Sequence, residues 1–563
     1  MTTVSSTSTT TSTSAGTGYS ALSSSSSGTG IDYSLLIEAK VQARLVRADR
    51  IDAKITANEA KVSAYGDLQS LLQTVNSSLD GLRNRSTATG ASSNLFGQRT
   101  AYIGDGDVFS ATVADGTETG TYSVVVQQLA TRHKIGADAV GSKTSALGQS
   151  GSFTLQAADG SAVTIVMDAD DSLTDLRDAI NARKAASGVT ASIVQVSNSS
   201  YQLILTANNT GEAISVTDGG GSGLAGALGL TDGSGNVRNE LVAVQEAIVQ
   251  IDGVTITRSS NTIADAIEGV TLNLYTASPD TAVSMEVSTD LSSIKTAITG
   301  FVDAYNALRD FVVQQQATNS NGTKTDSATL FADSLLRQVT KSVYAALNTS
   351  VATDDGNVLS LASLGIGFDS SNNLELDEDT LNSFLTSDID AVRQLLGLNM
   401  TASSSQISLL RYNTGLTSAS FTLDIEVGSD GSLGSVSVGG DSSLFTVSGN
   451  RIIGATGSIY DGIVMVYTGG GGSVDVDFSQ GLADRLYTTI DKFANRYSGD
   501  LATIINSLEA NDTELQSRSD DIRAKAETYR TTLTAYYARL EAAAETAALL
   551  LKQLTYKSND DDD

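Results

Sequence analysis

The sequence predicts an α+β chain of several domains, in which helical segments from the two ends pair as a coiled-coil-like domain and antiparallel β-rich domains are inserted between them. Three observations predict it. Apolar residues recur at three- and four-residue spacing near both ends, short alternating runs punctuated by Gly, Asp and Asn fill the middle, and 563 residues exceed what one hydrophobic core serves. On the N-terminal side the stripe runs through Ile51, Ile55, Val62, Tyr65, Leu68, Leu72, Val75, Leu79 and Leu82, with Asn58 bridging its one seven-residue gap. Gly66 lies inside it and costs about 1 kcal/mol relative to Ala, so a weak point in the helix is expected there. On the C-terminal side the stripe is Leu515, Ile522, Tyr529, Leu533, Tyr536, Leu540, Ala547, Leu551 and Leu554, with Arg523, Lys525, Glu527, Arg539 and Glu541 off it. A further helical stretch, Leu482 to Leu508, precedes it. A narrow stripe cannot bury itself, so the two ends are expected to pack on each other.

Between about residues 96 and 290 the pattern changes to strands: TYSVVVQQL (121–129), GSFTLQA (151–157), AVTIVMD (162–168), ASIVQVS (191–197), YQLILTA (201–207), AISVTD (213–218), EAIVQIDGVTITR (246–258) and GVTLNLY (269–275). Their alternation and turn residues predict antiparallel sheets. Two short helices are expected among them. DSLTDLRDAINAR opens on Ser172 with Asp175 three residues on, a capping-box pattern, and turns Leu173, Leu176 and Ile180 inward. NTIADAIEG reads as a helix capped by Asn261 and stopped by Gly269. Helices return at 291–317 and around 327–347, and a second strand-rich, Gly-rich block at about 405–478 reads as a separately inserted domain.

Composition excludes several function classes. A formal charge of −29 repels nucleic acid phosphates and anionic lipid, so neither partner is expected. With no Cys there is no thiolate nucleophile and no zinc–thiolate site. Residues 1–29, almost all Ser, Thr and Gly, lack the basic and apolar regions of a secretory signal and read as a disordered leader. No run of about 18 apolar residues offers a membrane span, and the end, SNDDDD, reads as a solvated acidic tail.

Three stretches invite chemistry. GSGLAG (221–226) has the glycine spacing of a dinucleotide loop and Glu246 about 20 residues on, but TDGSGN (231–236) ends the helix such a loop must open. DADDSLTD (168–175) gathers four carboxylates without the Gly and distal Glu of a calcium loop. His133 is the only histidine; it has no Cys or second His to work with, no G-x-S-x-G appears, and it follows the strand SVVVQQL in what reads as a polar turn. No catalytic residue, cofactor or metal is therefore expected.

Eight pieces of the chain, in order, resemble the flagellar filament cap, or hook-associated protein 2, family of bacteria. They are GIDYSLLIEAKVQAR (30–44), KVSAYGDLQSLL (61–72), VVVQQLATRHKIG (124–136), SLTDLRDAINA (172–182) with GVTASIV (188–194), AIVQIDGVTITRSSNTIADAIEGVTLNL (247–274), IKTAITGFVDAYNALRDFV (294–312), LASLGIGFDSSNNLELDEDTL (361–381) and the helical C-terminus. The Ser/Thr leader and the block at about 400–480 depart from the family pattern.

The resemblance implies a leg of packed terminal helices and a head of inserted β-rich domains. In residue terms it implies a leader at 1–29, leg segments at 30–95, 291–400 and 481–556, and an acidic tail at 557–563. A first head domain would be built from 96–125 and 240–290, a second from 126–239, and an additional inserted domain from 401–480. It further implies a non-catalytic, extracellular assembly factor at the distal filament tip: a homo-oligomeric ring of about four to six subunits. Such a ring promotes folding and insertion of exported flagellin, adjoins hook–filament junction proteins and depends on a type III export chaperone. Adhesion is a second use its head surfaces would serve. The residues expected to carry leg packing or filament contact are Leu35, Leu36, Val62, Tyr65, Leu68, Leu72, Leu533, Tyr536 and Leu540, the stripe packing inside the chain and the ends near 30–50 and 540–556 meeting the filament. A flagellin-like or junction subunit, and an extracellular adhesin or glycan-active enzyme, are the competing readings.

Overall fold

The computed structural model describes residues 33–85, 94–104, 107–353, 357–412 and 418–560, with side chains as far as 555. The expected leader at 1–29 and the last residues, 561–563, lie outside them. Helices are α1 (Tyr33–Leu79), α2 (Leu173–Asn181), α3 (Lys184–Ser187), α4 (Leu224–Ala227), α5 (Leu291–Gln315), α6 (Ser334–Leu347), α7 (Glu378–Ser387), α8 (Ile389–Leu396), α9 (Leu482–Ala494) and α10 (Asp500–Asp560). Every strand ladder among the described residues is antiparallel. The chain is α+β and multidomain, and it divides into two compact units: residues up to 74 with 307–343 and from 489 onward, and residues 75–306 with 344–488.

The first unit is helical. Gly66 does not interrupt α1: a Cβ there would meet nothing within 4 Å, and Ala64, Tyr65 and Leu68 around it are buried, so packing holds the helix where propensity alone weakens it. The stretch Leu482 to Leu508, expected as one helix, is two. After α9 the Asn495 side chain accepts from the backbone N–H groups of Tyr497 and Ser498 at 3.0 and 3.2 Å, an Asx turn that offers the chain an alternative to the helical ladder. Beyond it α10 runs unbroken for 61 residues and continues into the acidic stretch expected to be a tail.

The second unit holds three β-rich cores. In one, a five-stranded sheet in the order Arg99–Ile103, Val283–Thr289, Gly120–Gln128, Ala247–Ile251, Val254–Arg258 shares a core with the sheet Thr262–Ile267, Val270–Leu274, Phe109–Val113. In the next, the four-stranded sheet Glu240–Val242, Lys134–Gly136, Ser200–Ala207, Val189–Ser197 and the three-stranded sheet Val163–Met167, Gly151–Ala157, Ile214–Gly219 are closed by α2. The expected capping box is present: the Asp175 N–H donates to Ser172 Oγ at 3.3 Å and the Ser172 N–H to Asp175 at 2.9 Å. The third core is a sandwich of two four-stranded sheets spanning residues 398–480, filled by Phe421, Phe445, Tyr460 and Phe478.

NTIADAIEG is not a helix. Residues Thr262–Ile267 form a strand paired with Val270–Leu274, and Gly269, at φ +76°, makes the turn between them rather than ending a helix. Asn261 caps nothing; its side chain makes a two-way bond with the backbone of Ala130, accepting from its N–H at 2.7 Å and donating to its carbonyl at 2.9 Å. Burial of Ile263 and pairing with the neighbouring strand outweigh the local helical pattern.

His133 lies before the strand Lys134–Gly136 and is buried, not in an exposed turn. Its Nδ1 accepts from the Ile214 N–H at 2.8 Å, which places the proton of the neutral ring on Nε2, 3.0 Å from Glu240. It thus secures the start of the strand Ile214–Gly219. Replacing it with Leu orphans a buried N–H, and a loss of about 1–3 kcal/mol is expected in the denaturant-induced unfolding of this core.

Candidate functional surface on the paired terminal helices

The helical unit is built from chain ends nearly 500 residues apart. α1 and α10 run antiparallel: Tyr33 stacks on Tyr537 with ring centroids 4.8 Å apart, the Arg44 guanidinium lies 3.6 Å over the Tyr529 ring, and Asn58 donates to Asp512 at 2.6 Å. Val41, Ala48 and Ile55 of α1 and Leu515, Ser519 and Ala526 of α10 are buried along the seam. Small residues on both sides allow close approach. On one flank of the seam, ion pairs fix the register. Glu38 meets Arg530, and Asp52 accepts from Ser519 and from Arg523, which also reaches Asp49 at 3.2 Å.

These contacts hold the carboxylates ionised. Hydrogen bonds from Arg530 and Gln42 lower the Glu38 pKa against a small burial penalty. For Asp52 burial pushes the other way, and the bonds from Ser519 and Arg523 outweigh it. Exposed pairs of this kind contribute little stability each and act mainly on register.

Deeper in the unit Tyr65 is buried and donates to Asp333 at 2.7 Å; burial first, then the adjoining carboxylate, push its hydroxyl well above the usual tyrosine range. Asp333 also caps α6 through the Leu336 N–H at 2.9 Å. Tyr65→Phe is expected to lower stability by about 1.5–3 kcal/mol, read from the denaturant midpoint, because the bond runs to a charged acceptor.

Of the residues singled out from the sequence, Tyr65, Leu68 and Leu72 are buried in the helical unit. Val62 and Leu533 are half-buried, whereas Leu35, Leu36, Tyr536 and Leu540 are exposed. The C-terminal stripe therefore drifts. Its seam passes from Ala526 to Tyr537, which stacks on Tyr33, and leaves Tyr536 at 58% exposure, because a straight helix of 3.6 residues per turn departs from a strict heptad. Past Tyr537 the apolar side chains Leu549, Leu550, Leu551 and Leu554 are all more than half exposed. No helix among the described residues is long and apolar enough to cross a membrane.

Next to Ile55 and Val62 the helix pair opens into a groove of about 830 Å3 whose rim carries Glu59, Glu509, Asp512 and Asp520 and no cation. The chemical motifs are otherwise committed to the fold. In DADDSLTD, Asp171 accepts from the Asp168 N–H and Asp175 caps α2. GSGLAG places Gly223 at φ +65° before the single turn of α4, too short to cradle a dinucleotide.

The second unit holds a cluster that sequence spacing does not signal. The Asp484 carboxylate, fully buried, accepts from Arg83 Nε at 3.0 Å, from Arg85 Nε at 2.6 Å and Nη2 at 2.9 Å, and from Gln480 at 2.7 Å. The Arg83 guanidinium stacks 3.5 Å over the Tyr487 ring.

Comparison with known proteins gives these surfaces a family. The model of the flagellar hook-associated protein 2 C-terminus matches residues 244–548, more than half of the chain, that of the N-terminus of the same family matches 29–133, and a flagellin hook IN motif matches 152–209. The flagellar hook-associated protein 2 of Escherichia coli K12 is 31% identical over 381 residues, 65% of this chain and 78% of its own. The B-type flagellar hook-associated protein 2 of Pseudomonas aeruginosa is 26% identical over 380 residues, 64% of this chain and 77% of its own. The crystal structure of the D1–D2–D3 domains of the Escherichia coli flagellar cap protein is 32% identical and covers 59% of this chain and 90% of its own, at a TM-score of 0.44. With models of both ends of that family matched in order along one sequence, the chain belongs to the flagellar hook-associated protein 2 family.

Proposed function

We propose that this protein caps the distal end of the bacterial flagellar filament, outside the cell, as a homo-oligomeric ring of about four to six subunits. The ring holds exported flagellin at the growing end until it has folded and inserted, and so prevents its loss to the medium. Residues 30–95, 291–400 and 481–556 serve as the leg that docks on the filament, residues 96–290 and 401–480 as the head that joins neighbouring subunits. Hook–filament junction proteins are the first surface on which the ring sits, and an export chaperone delivers the chain. No bond is made or broken in this reading. Flagellin folding and packing supply the free energy, and the cap supplies confinement.

The observation that carries the reading is the pairing of α1 with α10 in a chain of this family, ending in an apolar helix end that is exposed among the described residues. A strain lacking the gene is expected to shed unpolymerised flagellin into the medium, and the gene supplied in trans to restore filaments. A deletion strain that keeps its flagellin on the cell overturns the reading. Electron microscopy of the purified protein separates a cap from a filament subunit: closed small rings are expected, and long fibres would place the chain among the filament subunits instead.

A further inference from the structure

The two flanks of the α1–α10 pair carry opposite charge. Val41, Ala48 and Ile55 face α10, so the residue four after each lies on one side of the seam and the residue one before each on the other. The first set continues Leu45, Asp52 and Glu59; Asp52 is bonded to α10 and Glu59 lines the groove. The second set is Lys40, Arg47, Lys54 and, one heptad on, Lys61. On α10 the same division puts Gln516 and Arg523 on the groove side of the buried Leu515, Ser519 and Ala526, and Arg518 and Lys525 on the other. Arg47, Lys54, Lys61, Arg518 and Lys525 are all exposed. Lys525 is bonded to Asp521, and among the described residues the other four make no ion pair. In a chain of net charge −29, five exposed cations set against the two carboxylates Glu514 and Asp521 make this flank a local reversal of sign.

The opposite flank supplies what such a stripe would meet. The groove beside Ile55 and Val62 has an apolar floor and four carboxylates at its rim, and neither Glu59 nor Glu509 is ion-paired among the described residues. Groove and stripe overlap along the helix pair, the groove at residues 55–63 of α1 and 509–520 of α10, the stripe at 47–61 and 518–525. Two patches that are complementary to each other but lie on different flanks of one molecule make a heterologous contact, which repeats from copy to copy and closes into a ring when the rotation allows.

We propose that the acidic groove of one copy receives the basic stripe of the next copy of this chain, Lys54 and Lys61 lying against Glu59 and Glu509, so that the terminal helix pairs join side by side. The inference deepens the ring assembly proposed above and rests on that reading. Electrostatic complementarity fixes neighbour and register, and the apolar floor at Ile55 and Val62 adds burial.

The test uses the full chain, whose lack of cysteine makes introduced thiols unambiguous. Ala57→Cys on the stripe side and Ser517→Cys at the groove are combined and oxidised; a ladder of disulfide-linked oligomers is expected, its yield falling as salt is raised. Glu59→Lys with Glu509→Lys, or Lys54→Glu with Lys61→Glu, are each expected to reduce the ladder at least tenfold. All four changes together, or an equimolar mixture of the two reversed chains, are expected to return it. Circular dichroism checks that these exposed substitutions leave the helices intact.

No ladder in the parent chain, a ladder indifferent to charge reversal, or no recovery on double reversal overturns the inference, and the last two outcomes assign the groove to another partner. The same variants are scored for retention of flagellin in a deletion strain. A parent chain that retains flagellin but does not cross-link leaves the cap reading standing without this interface. One that cross-links as expected but does not retain flagellin leaves the interface and removes the cap reading.

Discussion

Asp484→Ala is expected to cost about 3–5 kcal/mol, since it removes the buried carboxylate shared by the buried Arg83 and the largely buried Arg85 and leaves Arg83 with the half-exposed Asp80 at 3.2 Å. The loss is read as faster hydrogen exchange of the amides of residues 472–488 and a lower urea midpoint for this unit. The site is costly to break because little around it can relax. The Arg83 carbonyl accepts from the Leu398 N–H at 2.9 Å, and the Arg83 side chain is held against Tyr487, so Arg83 cannot swing to water without breaking these contacts. The pH dependence follows from the same contacts. Burial alone raises the Asp484 pKa, but the bond from Arg85, the charges of Arg85 and Arg83 and the bond from Gln480 outweigh it and hold the carboxyl below its usual range. A depressed folded-state pKa contributes stability that is present above the unfolded-state value near 4 and is lost as pH falls through the folded one. The wild type should therefore lose stability below about pH 4 more steeply than Asp484→Ala.

Leu551→Asp combined with Leu554→Asp is expected to abolish retention of flagellin while leaving thermal unfolding unchanged. Both side chains are about two-thirds exposed and lie on the last turns of α10, past the Tyr33–Tyr537 stack that ends the described pairing with α1. Large apolar residues at 549–551 and 554 are a surface whose cover comes from outside the described fold. A carboxylate placed there meets water in the free protein at no cost and apolar surface in a docked one at several kcal/mol. Secreted flagellin in a complemented deletion strain is the readout, and filaments that grow normally on the double variant remove the filament contact from this helix end.

Much of the helical unit was legible because its signal is local in period if not in partner. Ile55, Tyr65, Leu68 and Leu72 are buried there as their spacing predicts; in the second unit Val75, Leu79 and Leu82 are likewise buried, and Ser172 with Asp175 forms the box its spacing predicts. Local pattern misleads where two signals compete. NTIADAIEG carries apolar residues at both helical and alternating positions, and only the strand at Val270–Leu274 decides between them. The break after Ala494 was readable in Asn495 and Gly499, but the apolar period carries across it through Tyr497, which is almost wholly exposed. The Arg83–Arg85–Asp484 cluster joins residues some 400 positions apart, and nothing in either segment names the other. For the candidate surface, burial of Tyr65, Leu68 and Leu72 followed from the stripe, whereas the exposure of Tyr536 depends on helix drift that sequence spacing does not resolve.

The pairing of the chain ends also sets an order of events in folding. Glu38 and Arg530 are 492 residues apart, and closing a loop of that length in an unstructured chain carries an entropic cost of about 5 kcal/mol before any contact is made. The inserted sheets make mostly shorter-range pairings, so they can form first and bring the ends within reach. A chain delivered N-terminus first then has folded sheets and an unmated α1 until α10 has emerged. The helix pair proposed to dock is then completed after the sheets.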